Sequence, residues 1–509
     1  MTRLPTTTLP LPEAQSFLLS ATEKSYAHQY ANIYYQRLIS LKPVIQERAL
    51  ARWGDVQGNP ELVERVLEVV KGQLCWVIGT VYMDMRLKPN VLEDIARDRS
   101  IPAPPPPANY VSLDDAIMLE DESGRIHLTG DRLAAARLVT GVIVGVLGME
   151  APDGDFQVID LCTAGLPPPL PLEKPEPGDA MDVDAGSDAP DEWLALVSGL
   201  DIGAPSPADA QLQLLIEYLT GAAPAGPVPP AHITRLLIAG NSLAPPADAP
   251  PTTSSAPATE ATLKARRYGD ARAGTAFSPH PAHTLSAALL DLARALPVHV
   301  LPGAADPAGA ILPQAPFPRA LFGAAARAGV ACETNPAWVR LAAPAPSSTP
   351  ARTVLAHAGQ PLDDLCKYLP DAPRPTAARL ALAASTLQWR HMAPTAPDTL
   401  WCHPFLDRDP FLLGARPDVY VAGCQPAFGT RFIRADGEKG EGKKGGGEGA
   451  EGTRIILLPS FARTGLLVLL NLRTLRVRRV RFGVRGMGAG GGEGDGVLDA
   501  GVKEEDMAE

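Results

Sequence analysis

Hydrophobic positions along this chain change their period, and each change marks a different kind of element. From Ser25 to Leu50 (SYAHQYANIYYQRLISLKPVIQERAL), Tyr26, Tyr30, Ile33, Tyr34, Arg37 and Leu38 recur at i, i+4, i+7 and i+8 spacing, which predicts an amphipathic helix. From Gln73 the pattern turns to short runs of branched residues broken by Gly and Asp: LCWVIGTVYM (74–83), AIMLED (116–121), RIHLTG (125–130), LVTGVIVGVLGME (138–150) and FQVIDLC (156–162). Such runs predict a small Greek-key barrel of the OB type, with the proline stretch IPAPPPPA (101–108) in a loop between strands. Further on, the runs WLALVSGL (193–200), ITRLLIAGN (233–241), VHVLPG (298–303), TVLAHAG (353–359), DVYVAG (418–423), RIILLP (454–459) and LLVLLNL (466–472) are apolar throughout. They alternate with helical stretches over Asp209–Thr220 and His283–Leu296, which predicts a sheet covered on both faces in an α/β layered domain.

Proline and glycine mark the joints. Residues 1–20 read as a disordered lead, 21–163 as the helix plus OB domain, and 164–191 as an acidic Pro/Gly linker. Residues 192–486 read as the layered domain, interrupted by flexible insertions at 244–262 and 435–452, and 487–509 as a disordered tail. The insertions and tail are too polar to offset an ordering entropy of ~1–2 kcal/mol per residue.

The net charge of −11 and pI of about 5.4 argue against an autonomous nucleic-acid binder, although a local basic groove stays open. The six cysteines lack any CxxC pair, so they read as free thiols of a reducing compartment. The N-terminus has no apolar signal core, and the longest apolar run falls well short of the ~20 residues that span a bilayer. The expectation is a soluble intracellular protein with no membrane partner.

In layered α/β domains chemistry gathers at the carboxyl ends of strands. The turns there are LVSGLDIG (196–203), LLIAGNSL (236–243), VLPGAADP (300–307), LAHAGQPLDDL (355–365), WRHMAPTAPDTL (389–400) and VYVAGCQPAFGTR (419–431). Their order resembles the calcineurin-like metallophosphoesterases, in which Asp and His side chains on such turns hold two divalent metals ~3.5–4 Å apart. Under that resemblance nearly every ligand is replaced. Ser198 and Leu200 stand for Asp-x-His, Asn241 for the Asp of Gly-Asp, Ala304 and Ala305 for Asn-His, and Cys424 and Pro426 for the histidines of Gly-His-x-His. Only His357 and His391 could be vestiges. The resemblance therefore implies an OB barrel followed by a phosphoesterase-like domain without metal ligands, with no catalytic residue, metal or cofactor of its own.

A helix-plus-OB front end joined to such a domain resembles the B-type accessory-subunit family of the eukaryotic replicative DNA polymerases alpha, delta and epsilon, most closely the small, second subunits of the delta type. The resemblance rests on SYAHQYANIYYQRL (25–38), LCWVIGTVYMDMRLKPNVL (74–92), YVSLDDAIMLEDESGRIHLTG (110–130), LVTGVIVGVLG (138–148), HITRLLIAGNSL, RHMAPTAPDTLWCHPF (390–405), DPFLL (409–413) and LLPSFARTG (457–465). RHMAPTAPDTL, with Arg390, His391, Pro394, Thr395, Pro397 and Asp398, is the most specific of these. The family implies a nuclear, non-catalytic scaffold subunit of the polymerase delta complex in DNA replication and repair. Its expected partners are the C-terminal cysteine-rich module of the catalytic subunit and the third subunit, with DNA met weakly or through the complex. Two rival readings are a residual metal-dependent phosphoesterase or nuclease, and an OB-fold single-stranded DNA-binding module.

Several residues keep two readings. His391 with Asp398 is either an acid/base pair or a buried histidine beside a turn, and His357 has the same choice. Cys424 is a reactive thiol or an inert one. The OB strands offer Trp76, Tyr82 and Phe156 as stacking surfaces or as core. The basic run LRTLRVRRVRFGVR (472–485) places Arg476 and Arg478 on one strand face and Arg479 and Arg481 on the other, as phosphate contacts or as a solvated strand.

Overall fold

The computed structural model describes residues 3, 6–12, 15–58, 60–89, 107–170, 191–205, 208–223, 226–245, 278–342, 350–370, 375–434 and 451–483. The chain opens with β1 (Thr7–Leu9), then α1 (Ala31–Trp53), β2 (Glu61–Leu62), β3 (Cys75–Asp84), β4 (Ala116–Glu120), β5 (Arg125–Thr129), α2 (Asp131–Ala136), β6 (Ile143–Glu150) and β7 (Phe156–Cys162). Strands β3, β4 and β5 form an antiparallel meander, β6 pairs with both β3 and β7, and β7 closes against β5 in parallel. The result is the expected OB barrel. Helix α1 lies on it because Leu38, Leu41, Ile45, Ala49 and Trp53 form one apolar stripe, packed on Trp76, Ile78, Ile143 and Leu147. The Trp53 and Trp76 rings meet edge-on at 5.7 Å, and both indole N–H groups are satisfied, Trp53 by Asp160 Oδ2 and Trp76 by Pro60 O.

The second half continues with β8 (Trp193–Val197), α3 (Asp209–Thr220), β9 (Ile233–Ala239), α4 (His280–Ala293), β10 (Val298–Leu301), α5 (Ala325–Ala328), β11 (Val330–Cys332), β12 (Ala337–Ala342), β13 (Arg352–His357), α6 (Gln360–Lys367), α7 (Thr376–Gln388), β14 (Val419–Gln425), β15 (Gly429–Arg434), β16 (Gly452–Pro459), α8 (Phe461–Thr464), β17 (Leu466–Asn471) and β18 (Val477–Arg481). These strands make two six-stranded sheets, ordered β1-β12-β13-β14-β16-β15 and β11-β10-β9-β8-β17-β18.

Alternate residues of β8 enter different cores. Leu194 and Leu196 join Val354, Ala356, Val421 and Ile456 between the sheets, while Trp193, Ala195 and Val197 face α3 and α4. On the far side, Leu355, Tyr420, Ile455 and Leu457 face α6, α7 and the OB barrel. The expectation of one sheet covered on both faces is therefore corrected to four layers, helix–sheet–sheet–helix. The central strands of both sheets, β8, β9, β10, β13, β14, β16 and β17, are buried on both sides, so each reads as a continuous apolar run, and hydropathy alone does not tell one sheet from two.

The expected disordered lead is corrected in part. Thr7–Leu9 pairs antiparallel with Ala342, Leu341 and Arg340 of β12, and Phe17 and Leu19 are buried in the barrel-side core. The expected linker is corrected at its start, where Ala164 is buried and the Pro168 carbonyl accepts from Arg416 N. Gly452, placed in the second insertion by sequence, instead begins β16. Most of both insertions, most of the linker and the tail lie outside the described residues.

Candidate functional site

The parallel strands β8, β9, β10, β13 and β14 end together, as the sequence reading required, and their turns pack backbone against backbone. A Cβ on Gly240, whose φ is +87°, would sit 2.2 Å from Ala358 Cβ, and one on Gly423 would sit 2.0 Å from Ala239 O. Only glycine allows these approaches.

The polar side chains at these ends bind the turns to one another. Ser198, fully buried, donates to the Leu458 and Pro459 carbonyls and accepts from Cys424 N at 2.9 Å. Leu200 is buried against the α3/α4 side. Asn241 Oδ1 accepts from Ala305 N at 3.0 Å. Asp306 accepts from the backbone N–H groups of Ser242, Leu243 and Gly303, and burial still lifts its carboxyl above the usual range. Beside it, Asn335 Nδ2 donates to Gln314 Oε1 and Gln360 Oε1, and Gln314 donates to Gly303 O. Asp201 is tied to Ser460 Oγ and Asp363 to Arg379, while Gln425 Oε1 accepts from the same Arg379. Ala304 and Pro426 are exposed and Ala305 half-buried, and none of the three carries a donor or acceptor side chain. Cys424 is half-buried, and burial together with the neighbouring carboxylates of Asp201, Asp306 and Asp363 pushes its thiol up, which removes the reactive thiolate. Among the described residues, no three His, Cys, Asp or Glu side chains converge so as to hold a metal ion.

The two histidines lie apart in role. His357 ends β13 fully buried, its ring 5.3 Å from that of Tyr420. Its Nδ1 accepts from Gly359 N, so Nε2 carries the proton and has no partner among the described residues. Burial drives its pKa down to about 3, so it is neutral. His391 belongs to a different network. Its Nε2 donates to Asp409 Oδ2 at 2.7 Å, while its Nδ1 accepts from Ala393 N. Burial and the Arg37 charge lower its pKa to about 4, and Asp409 is held well below the carboxylate range by His391 and Arg37. Arg37, fully buried on α1, donates to Asp409 Oδ2 at 2.8 Å and to the carbonyls of Gly141, Pro394 and Ala396. One guanidinium thus joins α1, the OB barrel and the RHMAPTAPDTL segment.

The rest of that segment does the same work. Arg390 donates to the Gly165 and Leu166 carbonyls, and Asp398 accepts from Lys88 Nζ at 2.6 Å and Tyr368 Oη at 2.9 Å. Thr395 is buried, and the Ala396–Pro397 bond is cis. Of the two readings of His391 with Asp398, the geometry gives the buried histidine: the imidazole's partner is Asp409, and Asp398 faces Lys88 and Tyr368.

The match to known proteins covers both halves of this joint. The family model described as the DNA polymerase delta subunit OB-fold domain matches residues 29–161, and the model for the B-type subunits of DNA polymerases alpha and epsilon matches 194–430. The chain is 32% identical over 499 residues to the DNA polymerase delta small subunit of Saccharomyces cerevisiae, covering 93% of each chain. It is 33% identical to the Arabidopsis thaliana protein of the same name (89% and 91% covered) and 32% identical to the Drosophila melanogaster DNA polymerase delta subunit 2 (90% and 94%). The chain belongs to the DNA polymerase delta small-subunit family.

Two other candidate surfaces of this family member are altered by the structure. Trp76 and Phe156 are buried, so only the half-buried Tyr82 remains of the stacking platform, and it already has the Lys88 and Arg125 cations over its ring at 4.7 and 5.0 Å. Of the basic run, Arg478 donates to Pro227 O and lies over Trp193, Arg479 lies over Phe428, and Arg476 and Arg481 are exposed. Sequence reasoning placed Arg37 on the helical stripe without giving it a role. A charge among Ile33, Leu38 and Leu41 was the signal, because a buried cation requires a buried partner. Gln314, Asn335 and Gln360 carried no such signal, since neutral amides fit any loop.

Proposed function

We propose that the chain is the non-catalytic accessory subunit of a nuclear DNA polymerase delta complex, holding the C-terminal cysteine-rich module of the catalytic subunit and the third subunit in DNA replication and repair. Family membership supports the complex, and the names of the relatives support its delta type. The observation that supports a scaffold over an enzyme is the content of the strand ends: Ser198, Asn241, Gln314, Asn335, Gln360 and Gln425 bind the turns to each other where a phosphoesterase would present ligands to metal. The layered half is a calcineurin-like phosphoesterase fold kept for its shape, and its helix–sheet–sheet–helix order fits that ancestry.

The buried Arg37–Asp409–His391 joint supports the same reading, because it sets the barrel and the layered half at one angle and so presents one continuous surface to partners. Co-expression of the full chain with the catalytic subunit and with the third subunit tests the proposal. A stable ternary complex in size exclusion is the expected result. A folded chain that co-purifies with neither subunit overturns it. A permanent interface of this class buries more than ~2,000 Å².

A further inference from the structure

The charge of this chain is distributed unevenly in a way the scaffold role does not require. The molecule carries −11, yet from Leu457 to Gly483 there are six arginines and no Asp, Glu or Lys. The segment builds β17 and the outermost strand β18, and the neighbouring edge strand β15 adds Arg431 and Arg434, again with no acidic residue. The two edges lie side by side: Arg479 of β18 sits 5.3 Å over the Phe428 ring that precedes β15, and Arg454 of β16 donates to Leu475 O in the β17–β18 turn. Arg431, Arg463, Arg476 and Arg481 are exposed. None of Arg431, Arg476 and Arg481 forms an ion pair among the described residues, whereas exposed arginines elsewhere do, as Arg52 does with Asp160 and Arg125 with Glu120.

The geometry points to the paired edges β15 and β18 as a contact surface for the phosphate backbone of duplex DNA. Arginine presents a fork of donors that fits phosphate oxygens bidentately, and the exclusive use of Arg over Lys favours that over simple solubility. From Arg476 to Arg481 an extended strand covers about 17 Å, and duplex DNA carries a phosphate per strand about every 3.4 Å of axis, so these two exposed arginines, on opposite faces of the edge strand, lie about five base pairs apart along it. The half-buried Arg478 and Arg479 fix the strand through Trp193 and Phe428, leaving the exposed arginines to meet the ligand. With few of the aromatics that single strands stack on, and with no base-reading element on a sheet edge, the contact is to backbone and independent of sequence. A subunit holding a polymerase would there meet the duplex that enzyme makes. That placement rests on the proposed complex, whereas the surface itself does not.

Fluorescence anisotropy of the full chain with a duplex of about 30 base pairs tests it. The expected result is micromolar binding that weakens roughly 100-fold between about 50 and about 200 mM salt, as for about four phosphate contacts. The triple variant R431E/R476E/R481E loses at least tenfold in affinity and most of the salt slope. The control R65E/R294E, which reverses exposed charges elsewhere, stays within about threefold of the native chain. All of these chains co-purify with the catalytic subunit, which separates failure of this surface from failure of the complex. No measurable binding by the native chain, or equal losses in the triple variant and the control, overturns the proposal. A chain ending at Gly486 separates out a competing polyanion close in sequence to the surface, the acidic tail. If it binds DNA within about threefold of the full chain, the DNA assignment stands. If it binds more than tenfold tighter, the surface belongs to the tail, and the proposal is overturned.

Discussion

At His357 an imidazole proton points into a fully buried environment and meets no acceptor among the described residues. A buried donor left unmade costs about 1–3 kcal/mol, so this residue works against the fold that keeps it. His357→Leu should leave the unfolding free energy unchanged within about 1 kcal/mol or raise it, as read from urea denaturation; a loss above ~2 kcal/mol would mean that the imidazole has a stabilising role. The pH dependence has a definite sign. Both His357 and His391 have folded pKa values, about 3 and about 4, below the ordinary 6.5. The unfolded chain therefore binds protons that the native chain refuses, and stability is lost as pH falls from about 6.5 toward 4. Each buried histidine should remove about 2 kcal/mol between pH 7 and pH 5. The native protein should lose stability steeply in that window, and His357→Leu should lose about half as much of this histidine contribution. Because buried carboxyls such as Asp306 titrate in the opposite sense, the test is the difference between the two chains: identical losses from pH 7 to 5 in the native protein and His357→Leu would contradict the burial of that ring.

Arg37 is the opposite case, a buried charge with every bond made. Arg37→Met leaves the Asp409 carboxylate with His391 as its remaining side-chain partner and should cost about 3–5 kcal/mol. Because the lost bonds join α1 and the barrel to the 390–400 segment, limited proteolysis should then cut between the two halves well before either is degraded.

At the scale of elements, the OB strands and the long apolar strands β8, β9, β10, β13, β14, β16 and β17 were legible from runs of branched residues ended by Gly or Asp. Strands β1, β11, β12 and β15 were not, nor was helix α7. Strands β1 and β11 have three residues each, too few for a period to show. AWVRLA of β12 carries Arg340 and GTRFIR of β15 two arginines, so neither reads as apolar. The turns that form the strand ends were legible, since Ser198, Asn241, Ala304, Ala305 and Cys424 stand directly after apolar runs in the sequence. What fills them was not, because Asn335 finds Gln314 and Gln360 only once β12, α6 and the preceding loop have folded together. Nor could sequence give Arg37 its partner, 372 residues away. The turns make their own prediction: Gly240→Ala combines a φ of +87° with an overlap on Ala358 and should cost more than ~3 kcal/mol or prevent folding. Gly154→Ala, at φ +97° with open space, should cost about 1–2 kcal/mol. Equal costs in thermal denaturation would show that the strand ends are not packed as described.

For the whole molecule, a barrel and a four-layer domain are joined through a buried polar joint and a shared apolar core, and the strand ends of the layered half pack backbone against backbone. A continuous apolar core runs from Val77 and Val144 of the barrel to Leu365 and Tyr420 of the layered half, so the two behave as one body in unfolding. A scaffold needs that rigidity, and a metallophosphoesterase needs ligands. The two therefore separate most directly in metal binding by the purified full chain, measured by calorimetric titration with Mn²⁺ near neutral pH. The expected result is no site tighter than the millimolar range and no gain in thermal stability with the ion. Two ions bound per chain at micromolar affinity, with cleavage of a phosphodiester, would contradict the scaffold reading.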